Sequence, residues 1–114
     1  MQYALLAYNP TEDTDRAARP IAGPLAALLD QPAVTGWARL HADESATTLR
    51  NHEGRMLLTD GPFIDSKEYL GGLILIEADN LDGALAIASE LLQETSPGTI
   101  IEVRPVIEGR LRGA

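Results

Sequence analysis

Cysteine is absent from the 114 residues, which excludes disulfides, thiolate catalysis and cysteine-ligated metal and fits a reducing compartment. Basic residues are few, nine against 17 acidic ones for a net charge of −8. That is the wrong sign for a chain that neutralises phosphates through a basic face, so no nucleic acid is expected as a partner. No run of like charge forms an acidic tail, and the excess reads as solubility. A long apolar run is also missing: Met1 to Pro10 has no basic leader and is too short for a signal peptide or a membrane span. The expectation is a cytoplasmic chain without membrane contact. There is no phosphate loop, no dinucleotide fingerprint and no Gly-x-Ser-x-Gly elbow, so neither a nucleotide cofactor nor a serine nucleophile is indicated, and no cofactor is expected.

Apolar residues make up 45% of the chain and charged residues 23%, well away from the composition of disordered chains. A chain of this length buries roughly two thirds of its unfolded surface in one core. One domain over residues 1–107 is expected, followed by a flexible tail over 108–114. Internal repeats, low-complexity segments and linkers are absent.

Gln2 to Tyr8 reads as a strand that stops at the turn signal Asn9-Pro10. Thr11-Glu12-Asp13 offers an N-cap and an acidic first turn. Pro20 and Pro24 then break the Ala- and Leu-rich stretch, which predicts an early turn to about Arg19 and a fresh helix near Pro24 running to Asp30. Val34 to His41 reads as a second strand. Thr47 to Arg50 and Arg55 to Thr59 form a hairpin about Asn51-His52-Glu53-Gly54, with Gly54 at positive φ. Leu70 to Ile76 is the most apolar strand and is expected at the centre of the sheet. Asn80 caps a helix in which Leu81, Ala84, Leu85, Ala88, Leu91 and Leu92 form one apolar face. Ile100 to Val106 closes the chain as a strand whose Pro105 marks an edge or an end.

This order is a split βαβ pattern with an inserted hairpin, an α+β ferredoxin-like fold. Both helices of such a fold cover one face of the sheet. Leu73 and Leu75 point one way along their strand and Ile74 and Ile76 the other, so the open face is apolar as well. The expected cover is the same face of a second subunit, giving a homodimer with sheets packed face to face.

Chemistry concentrates in the loop Thr59 to Glu68, where charges of both signs, a tight turn and the lone Phe63 meet. At a dimer cleft, Asp60 or Asp65 would serve as a general acid or base, and Lys67 would hold an anionic group. The alternative is structural: Asp-Gly-Pro is ordinary turn chemistry, and Lys67 with Glu68 is a common solvated pair. Tyr8 offers a hydroxyl to a ligand or a ring to the core. Arg50 would hold a carboxylate or pair across the hairpin. His41 with Asp43 and Glu44, and His52 with Glu53, lack the spacing of a His-Glu-x-x-His metal site, and no metal is expected.

The segment Thr59-Asp60-Gly61-Pro62-Phe63, continuing through Ser66-Lys67-Glu68-Tyr69-Leu70-Gly71-Gly72, resembles the signature of the DGPF family within the YCII-related superfamily of bacterial proteins. Ala46 to Arg50 and Ile101 to Val106 resemble that family's strand before the hairpin and its closing strand. The resemblance spans Tyr3 to Val106. It implies a dimeric ferredoxin-like fold with a pocket beside the subunit interface. Some relatives are lyase-like enzymes, including a dehalogenase of a chlorinated lactone, that use a His and Asp pair with the His on the first helix. Ala17 to Asp30 contains no His, so that pair does not carry over, and Asp60 and Asp65 remain as the acidic candidates. Family members are also encoded beside or fused to extracytoplasmic-function sigma factors, which implies a regulatory role.

Three functions follow as expectations. The first is binding of a small anionic or carbonyl-bearing metabolite near the Asp-Gly-Pro-Phe loop, with Tyr8, Arg50, Phe63, Lys67 and Glu68 as ligand-binding residues. The second is a sensing partner of a sigma factor without chemistry. The third is a lyase- or isomerase-like enzyme using Asp60.

Overall fold

The computed structural model describes residues 1–11, 18–64 and 66–110, and Asp43 by its backbone. Among the described residues, six strands and two helices run in the order β1 (Gln2–Pro10), α1 (Gly23–Leu29), β2 (Val34–Arg39), β3 (Thr47–His52), β4 (Arg55–Asp60), β5 (Glu68–Glu77), α2 (Leu81–Gln93) and β6 (Ile100–Pro105). A short 3₁₀ turn over Asp43–Ser45 lies between β2 and β3. Four strands form one antiparallel sheet in the order β2-β5-β1-β6, while β3 and β4 pair only with each other. This mixed α+β architecture, with the apolar strand β5 inside the sheet, is compatible with the ferredoxin-like arrangement.

Alternation along the strands divides the sheet into two faces. Tyr3 and Leu5 of β1 and Ile76 of β5 point to the helical side and are buried with Leu29 of α1 and Ala84, Ala88 and Leu91 of α2. Val34, Ile74, Ile101 and Val103 complete this core from the strands. Helix α2 begins as its sequence predicts: the Asn80 side chain accepts a hydrogen bond from the Gly83 amide at 2.9 Å, satisfying one of the free donors of the first turn. Helix α1 has no side-chain cap and carries Pro24 in its first turn, where a missing N–H costs nothing. Of the early turn expected up to about Arg19, residues 12–17 lie outside the described residues.

Strand β1 runs two residues beyond its predicted stop. Asn9 pairs with Tyr69 and Pro10 with Glu68. Buried Asn9 donates from Nδ2 to Thr99 Oγ1 at 3.2 Å, so a tertiary bond holds extended a residue whose local preference is a turn.

The opposite face of the sheet carries Ala4, Leu6, Leu73 and Leu75, all only partly buried, beside exposed Ala38. The hairpin is more open still. Glu53 at φ 51° and Gly54 at φ 79° make the two-residue turn with both φ positive that suits the twist of paired strands. Leu49 lies opposite Leu58, and Met56 falls on the same side. They are 59%, 67% and 75% exposed. The radius of gyration is 15.6 Å, against about 13 Å for a compact chain of this size, because this hairpin stands away from the main sheet. Among the described residues no helix is long and apolar enough to cross a membrane.

The core makes a direct prediction. Leu5 is fully buried at the centre of β1, and Leu5→Ala is expected to cost about 3 kcal/mol through lost transfer energy and a residual cavity. Urea unfolding measures it; a loss below about 1 kcal/mol would mean that the core does not close around this residue.

Candidate functional site

A register shift positions the site. Ala7 pairs with Gly72, but the next residue, Tyr8, pairs with Leu70, so Gly71 is an extra residue in β5. Its carbonyl accepts from the Leu40 amide at 2.9 Å and holds the chain leaving β2 against the sheet. The bulge leaves Tyr8, Leu70, Leu40 and Ile100 together at one end of the sheet, where they floor a cleft of about 860 Å³.

The base of the hairpin builds the walls. The 3₁₀ turn, closed by the Ser45 amide on the Ala42 carbonyl at 2.9 Å, presents His41, Ala42, Ser45 and Ala46. Opposite it stand Pro62, Phe63, Ile64 and Ser66. The Asp-Gly-Pro segment joins the two walls. Gly61 sits at φ +103°, in the region that glycine alone adopts readily. Its amide donates to Ala46 O at 2.7 Å, and its carbonyl accepts from Thr48 Oγ1 at 2.8 Å. Thr11 donates its amide to the Lys67 carbonyl at 2.8 Å, tying the end of the loop to β1.

Of the residues singled out in the sequence, Tyr8, Phe63 and Glu68 line this cleft. Arg50 stands behind its wall, the guanidinium carbon 5.0 Å from the Phe63 ring centroid, a cation–π distance. Asp60 is the last residue of β4, exposed and opposite Thr47, and neither it nor Lys67 is in the lining. Asp65 lies outside the described residues. Ser66 of the Thr59 to Glu68 loop also faces the cleft, as do His41, Ser45 and Thr48, which were not expected there. His41 had drawn notice only as a metal ligand. The alternation of β2 puts Ala38 and Leu40 on the open side but gives no signal for His41, which lies between that strand and the 3₁₀ turn. Among the described residues no three His, Asp or Glu side chains gather to hold a metal ion.

The polar groups of the cleft are directional. Tyr8 donates its hydroxyl proton to Glu102 Oε1 at 3.3 Å, and the Ser66 hydroxyl donates to the Glu68 carbonyl oxygen. Burial and then the negative charge of Glu102 raise the Tyr8 pKa above its ordinary 10.0, the hydrogen bond to Glu102 adds to the rise, and Arg104 pulls the other way. A raised value means that the stability contributed by neutral Tyr8 is complete below the unfolded-state pKa near 10 and is lost as pH rises through the folded-state value. The phenolate absorbance of wild type minus Tyr8→Phe is therefore expected to titrate above 10.0, and Glu102→Gln is expected to lower that midpoint. A Tyr8 midpoint at or below 10.0 in the wild type would contradict the arrangement.

A family model for the YCII-related domain matches residues 1–110. An uncharacterised protein of Rhizobium meliloti (strain 1021) is 32% identical over 114 residues, covering 93% of this chain and 92% of its own length. The Asp-Gly-Pro-Phe segment and the Gly-Gly pair of the bulge, which together shape the cleft, thus sit in a match that spans almost every residue, and the chain belongs to the family of YCII-related domains.

Proposed function

We propose that this chain binds a small metabolite with a largely apolar body in the cleft between the end of the sheet and the Asp-Gly-Pro-Phe loop. The observation that carries this reading is the cleft itself. It holds about 860 Å³, within the usual range for small-molecule sites, and pairs an apolar floor with a few polar groups. Of the two ligand chemistries expected from the sequence, the carbonyl-bearing one suits the lining better. No Lys or Arg is among its described residues, whereas His41 and Ser45 are there, have no side-chain hydrogen bond among the described residues and can donate to a carbonyl oxygen. Catalysis by Asp60 gains no support from its place outside the lining. The reading is one of binding, with no reaction assigned.

A second copy of the chain is the proposed cover for the open face. A lone two-stranded hairpin is only marginally stable in water, and Leu49, Met56 and Leu58 side by side in solvent are a liability unless something packs on them. The cleft opens at the end of the same face, so a copy packed sheet to sheet would border it and narrow its mouth.

Both parts can be measured. In a nitrogen-15 titration with benzylacetone, a phenyl ketone, the shifts are expected to concentrate on Tyr8, Leu40, Leu70 and Ile100, and Phe63→Ser is expected to weaken binding by about tenfold. Shifts confined to the helical side would refute the site. Leu6→Arg, which sets a charge on the open face, is expected to reduce the mass in solution to the 12.2 kDa of one chain; an unchanged dimer would place the interface elsewhere.

A further inference from the structure

We infer that the ligand of this cleft carries a protonated amine on its apolar body, with Glu68 and the Tyr8 oxygen as the groups that recognise it. The inference rests on the binding reading above and deepens it, and it comes from the direction of each hydrogen bond in the lining.

A backbone carbonyl can only accept, so the Thr48 hydroxyl, bonded to the Gly61 carbonyl, has given up its one proton. The Ser66 hydroxyl, bonded to the Glu68 carbonyl, has done the same. The Tyr8 hydroxyl is likewise spent on the Glu102 carboxylate, which when ionised can only accept. Three of the hydroxyls that line the cleft therefore have only lone pairs left to offer a ligand. Glu68 lines the cleft too, and its carboxylate has no hydrogen bond or ion pair among the described residues. Against these acceptors stand Ser45 and one nitrogen of His41, whose side chains have no hydrogen bond among the described residues, beside the hydroxyl of buried Tyr69.

A carboxylate ligand would meet a like charge and spent hydroxyls, with no Lys or Arg among the described lining residues. A ketone would use one or two donors and leave the carboxylate unmatched. An ammonium group supplies up to three N–H donors and the opposite charge, and its hydrogen bonds to an ionised acceptor are about twice as strong as neutral ones. The net charge of −8 draws a cation in the same sense.

Three probes with the same phenyl body separate the possibilities: phenethylamine, hydrocinnamate and benzylacetone, each titrated into the full chain by nitrogen-15 NMR. The amine is expected to bind about tenfold more tightly than the carboxylate and more tightly than the ketone. Glu68→Gln should remove most of that advantage, with benzylacetone still shifting Tyr8, Leu40 and Leu70. Glu68 is exposed at the start of β5, so this variant keeps the fold, and its ketone affinity checks that the cleft survives. A ketone or carboxylate that binds at the cleft more tightly than the amine would overturn the inference and leave the site standing. An amine advantage that persists in Glu68→Gln would overturn the role of Glu68. Absence of shifts at Tyr8, Leu40 and Leu70 with all three probes would overturn the binding reading along with it.

Discussion

The sheet has two apolar faces and the chain supplies helices for one. Tyr3, Leu5 and Ile76 are closed off beneath α1 and α2, whereas Ala4, Leu6, Leu73 and Leu75 on the reverse side are only partly buried. Burying a large aliphatic side chain stabilises by about 1.5–3 kcal/mol, so an apolar face left in water forgoes a sizeable part of what a domain of this length has available. The rest of the molecule follows from this imbalance. The hairpin of β3 and β4 adds a second uncovered patch, and the cleft opens at the end of the sheet beside the hairpin base.

The local device that turns an open face into a site is the extra residue at Gly71. Without it, strict alternation would carry the register of β1 and β5 straight through Tyr8. With it, Tyr8 and Leu70 stand opposite each other, and the Gly71 carbonyl anchors the chain leaving β2. The Asp-Gly-Pro-Phe segment supplies the other half. Gly61 closes the base of the hairpin with both its amide and its carbonyl, which leaves Pro62 and Phe63 free to form a wall. In this geometry the signature owes its shape to Gly61, while Asp60 stands outside the lining.

The order of strands and helices was legible because long periodic segments dominate it. The six-residue apolar stripe of α2 and the run Leu70 to Ile76 each admit one reading, and Glu53-Gly54 fixes the hairpin register. Less legible was whatever depends on distant partners. Asn9-Pro10 has the local chemistry of a turn, yet Thr99 holds Asn9 in the strand from 90 positions away. The site was legible in part for the same reason. Tyr8, Phe63 and Glu68 stood out by residue type or by the motif beside them, but His41, Ser45 and Thr48 reach the cleft through a 3₁₀ turn and a hairpin base with no periodicity to betray them. The charges of Asp60 and Lys67 drew attention in the sequence although neither residue is in the lining.

Whether something covers the open face decides the account, and amide hydrogen exchange followed across protein concentrations tests it most directly. A covered face gives a mass of twice 12.2 kDa with slow exchange in β3 and β4, and faster exchange in the hairpin alone once dilution separates the copies, while β1 and β5 keep their protection. A mass of 12.2 kDa at every concentration, with hairpin exchange that never changes, would contradict it.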